Sequence, residues 1–256
     1  MPARVDFGKT AEDYARFRVG FPEPLFARLA AHGIGAAGQR ILDLGTGTGT
    51  LARSFARRDG RVVGLDRSPA LVAEARRLDR EATVAVDYVV AVAEATGLRP
   101  RSFDVVAAGQ CWHWFDRGRA AGEARRLLAP GGALVIAHFD WLPLPGNVLE
   151  ATEALIVRHN PAWRGAGGLG VHPAWLRDLG LAGFVGIESF SFDVVVPYGH
   201  AAWRGRVRAS AGVGASLPPE QVARFDAELA DLLRDRFRRE PLDVPHRVFA
   251  AIGWAR

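Results

Sequence analysis

Residues 40 to 52 read RILDLGTGTGTLA, and this stretch decides the fold. Ile41, Leu42 and Leu44 form a short apolar run that is typical of a buried β-strand. Three glycines follow at alternate positions, and Leu51 then begins a helix-period pattern. Because glycine has no Cβ, such a turn brings the backbone close to a ligand at the start of a helix. The stretch therefore predicts a strand, a ligand-binding turn and a helix.

The spacing of the glycines and a nearby acid indicate which ligand is bound. Dinucleotide sites follow the pattern G-x-G-x-x-G, which places a diphosphate at the helix N-terminus. Here Gly45, Gly47 and Gly49 follow G-x-G-x-G, and Asp43 stands two residues before the first glycine. A carboxylate at that position repels phosphate and suits a ligand that carries an ammonium or sulfonium group.

A second acid supports a nucleoside. Asp66 closes the apolar run Val62 to Leu65, and an acid at the end of a second strand can accept hydrogen bonds from both hydroxyls of an unphosphorylated ribose. The two acids together predict a cationic adenosine derivative, which is S-adenosylmethionine.

Four segments, in this order, resemble the motifs of class I S-adenosylmethionine-dependent methyltransferases. They are DLGTGTG at 43–49, GLDRSPALVAEAR at 64–76, SFDVVAAGQCWHWFD at 102–116 and LLAPGGALVIAHF at 127–139. Within the family, WHWFD at 112–116 and FGKTAEDYARFRVGFP at 7–22 are most similar to the small-molecule branch that includes trans-aconitate methyltransferase.

The resemblance implies the architecture. It implies a Rossmann-like, doubly wound α/β sheet of seven strands in the order 3-2-1-4-5-7-6, with strand seven antiparallel. It also implies a single domain over residues 1–256, with its core at about 31–140, 173–197 and 244–256. Cap segments at about 1–30, 141–172 and 198–243 would then gather over the carboxyl ends of the strands, where open α/β sheets bind ligands.

Apolar runs that alternate with helix-period stretches predict a parallel sheet with crossover helices from residue 40 onward. The predicted strands lie near 40–45, 61–66, 86–92, 103–109 and 132–138, followed by apolar runs at 184–196 and 246–254. The predicted helices lie near 49–58, 69–79, 117–129, 173–180 and 219–239. Prolines and a glycine cluster between Trp141 and Val171 predict an irregular crossing there.

Composition favours a soluble globular enzyme. Hydrophobic residues make up 49% of the 256 residues, charged residues make up 24%, and the single cysteine, Cys111, excludes an internal disulfide framework. Neither a signal peptide nor a spanning apolar run is evident, so we expect a cytoplasmic protein without a membrane partner. The net charge of +5 comes from arginines spread along the chain, so we do not expect a nucleic-acid partner. A monomer and a homodimer both fit the sequence.

The cofactor is expected at the carboxyl ends of the first four strands. Backbone around Gly45, Thr46 and Gly47 is predicted to contact the methionine part, and Asp43 sets the local charge. Asp66 is predicted to hold the ribose, with Arg67 beside the adenine. By resemblance, further contacts come from Ala93, Glu94, Gln110, Tyr14 and Arg18. Val92 replaces the acid that the family often places against the adenine amine.

Methyl transfer needs a general base only when the acceptor must lose a proton. His113, between Trp112 and Trp114, is the first candidate, because an imidazole titrates near neutral pH. A histidine that orients the loop or shapes the cofactor pocket is the alternative. His138, at the end of the fifth strand, is a weaker candidate. No group of histidine, cysteine and acid residues has metal-ligand spacing, so we expect no metal.

Aromatic and basic side chains are predicted to form the substrate cap. They are Trp112, Trp114, Trp141, Trp163, Trp203 and Arg204. Tryptophans could line an apolar pocket, and an arginine could bind an acidic group of the acceptor. Simple core packing and a solvated helix face are the alternatives.

The sequence therefore predicts a methyltransferase that uses S-adenosyl-L-methionine and acts on a small organic acceptor at oxygen, either a carboxylic acid or a secondary metabolite. Three alternatives remain open. The fold could assist a non-methylating reaction such as cyclisation, it could methylate RNA, or it could be a nicotinamide-dependent oxidoreductase.

Overall fold

A computed structural model describes Phe17 and residues 19 to 256. The predicted contacts of Tyr14 and Arg18 lie outside the described residues.

Seven strands form one mixed sheet in the order β3-β2-β1-β4-β5-β7-β6, with β7 antiparallel, which confirms the predicted fold. The strands are β1 (Arg40–Leu44), β2 (Arg61–Asp66), β3 (Asp87–Val90), β4 (Phe103–Gly109), β5 (Leu128–Trp141), β6 (Val185–Tyr198) and β7 (Leu242–Trp254). Strands β1 to β5 pair in parallel, and Asp43 in β1 is aligned with Gly64 in β2 and Ala107 in β4. The carboxyl ends of the first strands therefore meet at one edge of the sheet.

Eight α-helices lie in the described part of the chain. They are α1 (Glu23–Ala31), α2 (Thr50–Ala56), α3 (Pro69–Ala82), α4 (Arg117–Leu127), α5 (Val148–His159), α6 (Pro173–Leu181), α7 (His200–Arg208) and α8 (Pro219–Arg236). A short 3-10 turn covers Trp112–Trp114. Ser68 caps α3, where its hydroxyl accepts a hydrogen bond from the backbone N–H of Leu71, and Pro69 fills the first helical position.

The chain divides into two compact units. The core unit comprises residues 20–139, 171–192 and 248–256. Its hydrophobic core joins one face of β1, β2 and β4 to α4 and α6, with Leu42, Trp112 and Leu127 among its fully buried members. This unit holds the glycine-rich turn.

The helical unit comprises the described residues up to Val19, together with 140–170 and 193–247. Its own core joins α5, α7 and α8, with Trp203, Phe225 and Leu229 fully buried at its centre. The predicted domain and cap boundaries stay predictions.

The predicted irregular crossing from Trp141 to Val171 is wrong for residues 148–159, which form α5. The Asn147 side chain accepts a hydrogen bond from the backbone N–H of Glu150 and so caps the helix. Val148, Thr152 and Leu155 then bury one face. Apolar burial at helical spacing outweighs the flanking prolines and glycines.

Several strand boundaries differ from the prediction, and β7 begins at Leu242, four residues before its predicted start. Strand β5 begins at Leu128, four residues before the predicted start, because Pro130 and Gly131 lie within an irregular stretch of the strand rather than before it. Strand β3 is shorter than predicted and ends at Val90. Among the described residues, no helix is both long and apolar enough to span a bilayer.

Candidate active site

Asp43 is a buried acid at the end of β1, with 1% of its surface exposed. Its Oδ2 accepts hydrogen bonds from Thr46 Oγ1 at 2.7 Å and from the backbone N–H of Ala52 at 3.1 Å. Its other oxygen, Oδ1, is buried and has no hydrogen-bond partner among the described residues. Burial raises the pKa of the carboxyl group to about 7, against these two hydrogen bonds, which lower it. The site therefore has a buried carboxylate whose ionised form a nearby cation would stabilise.

The glycine-rich turn has a left-handed backbone at all three glycines, Gly45, Gly47 and Gly49. At Gly45 a Cβ would lie 2.9 Å from Cys111 and Phe115, so no larger residue fits against the loop that follows β4. At Gly47 a Cβ would meet nothing within 4 Å, so this part of the turn borders open space. The turn is thus packed at its first glycine and open at its second.

The third glycine, Gly49, packs against buried polar side chains. A Cβ on Gly49 would collide with the Tyr88 hydroxyl, and one on Gly64 would lie 2.6 Å from the Tyr88 ring. Burial and the neighbouring Asp79 carboxylate raise the pKa of this hydroxyl.

Arg53 connects this network to the turn. It pairs with Asp79 at 2.8 Å, and its Nη2 donates to the carbonyl oxygen of Thr48 at 2.9 Å. The second half of the turn therefore rests on Tyr88, Asp79 and Arg53.

Asp66, at the end of β2, ties the turn to the start of α3. Its Oδ2 accepts from the backbone N–H of Gly47 at 2.9 Å, and its Oδ1 accepts from the N–H of Ser68 at 2.8 Å. Burial raises its pKa, although both hydrogen bonds and the adjacent Arg67 lower it. Each oxygen keeps a second lone pair for a ligand hydroxyl. Arg67 itself is exposed.

The segment after β3 gives the predicted adenine residues different surroundings. Val92 is 45% exposed, whereas Ala93 is buried. Glu94 accepts a hydrogen bond at 2.9 Å from the backbone N–H of Asp116, the residue that caps α4. The Glu94 side chain thus binds the start of α4. The backbone of this segment is therefore the main candidate for an adenine contact.

Gln110 holds an unusual backbone conformation directly after β4, with a φ of 66°. Its backbone N–H donates to Ala137, and its side-chain Nε2 donates to the carbonyl oxygen of Phe139 at 2.8 Å. The next residue, Cys111, is buried with its Sγ 3.0 Å from the carbonyl oxygen of Leu44. These contacts join the ends of β1, β4 and β5.

Both predicted general bases lie beyond this junction and are neighbours. The ring centroids of His113 and His138 are 5.1 Å apart. The ring centroid of His138 also lies 4.9 Å from that of His172. No role for His172 was predicted from the sequence. His172 comes just before α6, and no local pattern marks it as a partner of β5. The structure does not test which of these imidazoles acts as a base.

The two tryptophans beside His113 differ in their surroundings. Trp112 has no exposed surface, and its Nε1 donates to Asp178 Oδ2 at 3.1 Å, so the structure assigns it to the core rather than to a cap. Trp114 is 48% exposed. Of the pair, only Trp114 presents a surface to a ligand.

The other predicted cap residues lie in the helical unit. Trp203 is fully buried between Trp141 and Tyr198, with both ring centroids 5.4 Å away. Arg204 pairs with Asp226. Trp163 packs against the core of the same unit. Packing and ion pairing account for these contacts, and the role of these residues in binding an acceptor stays a prediction.

The sequence is similar to known methyltransferases. The family profile described as a methyltransferase domain matches residues 42–136. An uncharacterized methyltransferase of Mycobacterium tuberculosis is 36% identical over 130 residues, which cover 51% of this chain and 50% of that protein. The chain thus spans about half the length of the first curated relatives it matches. A ubiquinone biosynthesis O-methyltransferase of Xanthomonas euvesicatoria is 32% identical over 187 residues, covering 68% of this chain and 72% of the relative.

Solved structures share the fold. A structure from Anaeromyxobacter dehalogenans that bears the name of a type II methyltransferase is 27% identical, with a TM-score of 0.65 over 94% of this chain and 98% of that one. A phosphoethanolamine N-methyltransferase of Haemonchus contortus, solved with S-adenosyl-L-methionine, has a TM-score of 0.58 at 20% identity, over 97% of this chain and 56% of that one. The glycine-rich turn after β1, the seven-stranded sheet and these relatives agree, and the chain belongs to the class I methyltransferase family.

Proposed function

We propose that this protein transfers a methyl group from S-adenosyl-L-methionine to an oxygen atom of a small organic acceptor. The observation that carries the proposal is the buried carboxyl group of Asp43, whose Oδ1 has no hydrogen-bond partner among the residues described. An unpaired buried carboxylate is costly, and a bound cation offsets that cost. The open space at Gly47 leaves room for the ligand beside the same turn.

The residues around the turn fit S-adenosylmethionine. Asp43 would stabilise the positive charge of the methionine part, with the backbone around Gly45, Thr46 and Gly47 beside it. Asp66 would accept the ribose hydroxyls with its free lone pairs. For the adenine we propose the backbone at Ala93, and Arg67 beside it.

Methyl transfer requires no covalent bond between the protein and the reactants. When bound, the cofactor supplies an activated methyl group. The residues of the site bind it, hold the acceptor in line and exclude water. Well-oriented reactants gain about 7 to 11 kcal/mol over free ones. Oxygen as the methylated atom is supported by the relative whose name describes an O-methyltransferase.

Calorimetry tests the cofactor directly. We expect S-adenosylhomocysteine to bind and NAD not to bind, because Asp43 repels a diphosphate. Binding of NAD without binding of S-adenosylhomocysteine would replace the proposal with an oxidoreductase. Transfer of tritium from methyl-labelled cofactor to an acceptor then separates methylation from a reaction, such as cyclisation, that leaves the methyl group in place.

A further inference from the structure

Three imidazoles of the core unit lie in a row, and we call His113, His138 and His172 the histidine group. Neighbouring ring centroids are 5.1 and 4.9 Å apart, and neighbouring rings are nearly perpendicular, at 84° and 76°. The first ring is exposed, the second buried and the third half-buried. The row thus runs from the surface after β4, past the buried end of β5, to the start of α6.

Aromatic packing holds the inner end of the row. His172 stacks on Trp175 with a centroid distance of 4.0 Å and an interplanar angle of 4°. Phe249 packs edge-on against both of these rings, with centroid distances of 5.7 Å to His172 and 5.9 Å to Trp175. Because Trp175 and Phe249 are buried, they are a wall behind the histidines rather than a surface for a ligand. A ligand can reach the row at His113, where Trp114 is also exposed.

The outer end of the row is attached to the glycine-rich turn. His113 follows two residues after Cys111, whose Sγ lies 3.0 Å from Leu44 at the end of β1. Gly45 packs against the same cysteine. The first imidazole therefore lies on the loop that packs against the glycine-rich turn.

We propose that the histidine group is the acceptor subsite and that it removes the proton from an acceptor hydroxyl. This inference rests on the proposed function. The hydroxyl proton passes to an imidazole nitrogen as the oxygen lone pair forms the new O–C bond. The C–S bond breaks, and its electron pair neutralises the sulfonium. The positive charge moves from sulfur to imidazole, and the proton then leaves to water from an exposed ring.

This arrangement selects a hydroxyl over a carboxylic acid. A carboxylic acid is already ionised at neutral pH and needs no base, whereas an enol or phenol does. Three imidazoles about 5 Å apart cannot all carry charge easily, because like charges this close disfavour ionisation. A neutral imidazole has a nitrogen lone pair that can accept a proton.

Other charged groups lie on the elements that carry the rings. They are Asp140 on β5, Arg177 and Asp178 on α6, and Arg117 at the start of α4. The Asp178 carboxylate is engaged by Trp112 Nε1 and by Arg117 at 3.3 Å. Asp140 follows His138 by two residues on the same strand.

A coloured probe tests the proposal without knowledge of the natural acceptor. 4-Nitrophenol absorbs strongly only as its anion, so its spectrum reports where the proton is. With S-adenosylhomocysteine present, we expect the wild-type protein to bind the probe as its anion about one pH unit below the midpoint of the free probe. His113→Gln and His138→Gln should abolish this shift. His200→Gln, a histidine change in the helical unit, should leave it intact.

Several outcomes would overturn the inference. The probe could fail to bind, could bind in its neutral form, or could ionise equally in the wild-type protein and His113→Gln. If His113→Gln weakens binding of S-adenosylhomocysteine more than about threefold, the ring acts on the cofactor instead. Failure of the wild-type protein to bind S-adenosylhomocysteine would refute the proposed function, which is a separate result.

Histidine-labelled protein gives a second measurement. Seven histidines are present, and NMR titration follows each imidazole. We expect His172→Gln to shift the titration midpoint of His138, because charges on rings 4.9 Å apart interact. His200→Gln should not move it. Independent titration of the three rings would contradict their action as one group.

Discussion

At the scale of single residues, burial decides the chemistry of Asp43. The sequence places an acid two residues before the glycine-rich turn. If this acid lay on the surface, it would be ionised at every relevant pH. In the folded protein its pKa is raised to about 7 by burial. Burial therefore favours the protonated form of this acid, and a bound cation would favour the ionised form.

We expect the affinity for S-adenosylhomocysteine to fall as the pH drops below about 7. The bound ammonium lowers the pKa of Asp43, so binding at lower pH must release a proton, at a cost of up to about tenfold per pH unit. Calorimetry from pH 5.5 to 7.5 measures the slope. Asp43→Asn should bind weakly with little pH dependence, and a steep slope in that variant would assign the proton to another group.

Asp66 gives a second prediction at this scale. Asp66→Ala should weaken cofactor binding by about 1.5 to 3 kcal/mol, because it removes hydrogen bonds to a charged group and frees the N–H of Gly47. Asp66→Asn keeps one acceptor oxygen and should lose less. Unchanged affinity in the alanine variant would show that this acid only ties the turn to α3.

At the scale of elements, the glycine-rich turn depends on β3 behind it. Tyr88→Phe keeps the ring over Gly64 and removes the hydroxyl beside Gly49 and Asp79. We expect S-adenosylhomocysteine to bind about three- to tenfold more weakly, because the support of the turn loosens. Tyr198→Phe, which removes the other buried tyrosine hydroxyl in the described residues, should leave the affinity unchanged. Equal affinities in both variants would remove Tyr88 from the support.

The capped start of α5 makes a separate prediction about stability. Asn147 accepts from the N–H of Glu150 and donates to the carbonyl oxygen of Leu142. Asn147→Ala should lower the free energy of unfolding by about 0.5 to 2 kcal/mol, as the loss of an N-cap does. Asn147→Asp keeps the cap and should retain most of the wild-type free energy of unfolding. Denaturant titration compares the three proteins.

At the scale of the whole molecule, several arginines of the described residues are paired with carboxylates and do not form a free basic surface. Arg53, Arg126 and Arg247 each pair with an acid of the chain. We therefore expect binding to a short labelled RNA to be no tighter than the non-specific range, about 1 to 100 μM at physiological salt. Fluorescence anisotropy measures it. Binding much tighter than about 1 μM would instead support an RNA substrate.

Local sequence patterns predicted many of the strands and helices. The run from Ile41 to Phe55 predicted a strand, turn and helix that the structure contains, because strand burial and glycine turns depend on neighbours a few residues away. The order of the strands came from the resemblance of four motifs and is confirmed. Helix α5 was missed because prolines and glycines flank a short apolar face.

Sequence alone determined the type of site: a turn of small residues between two acids, on a sheet whose order follows from its motifs. Only the tertiary structure decided what the side chains can do there. It buried Asp43, placed Trp112 in the core while leaving Trp114 exposed, and brought His172 beside His138 from a distant part of the chain. Burial and long-range contact depend on how whole elements pack, and no short stretch of sequence contains that information.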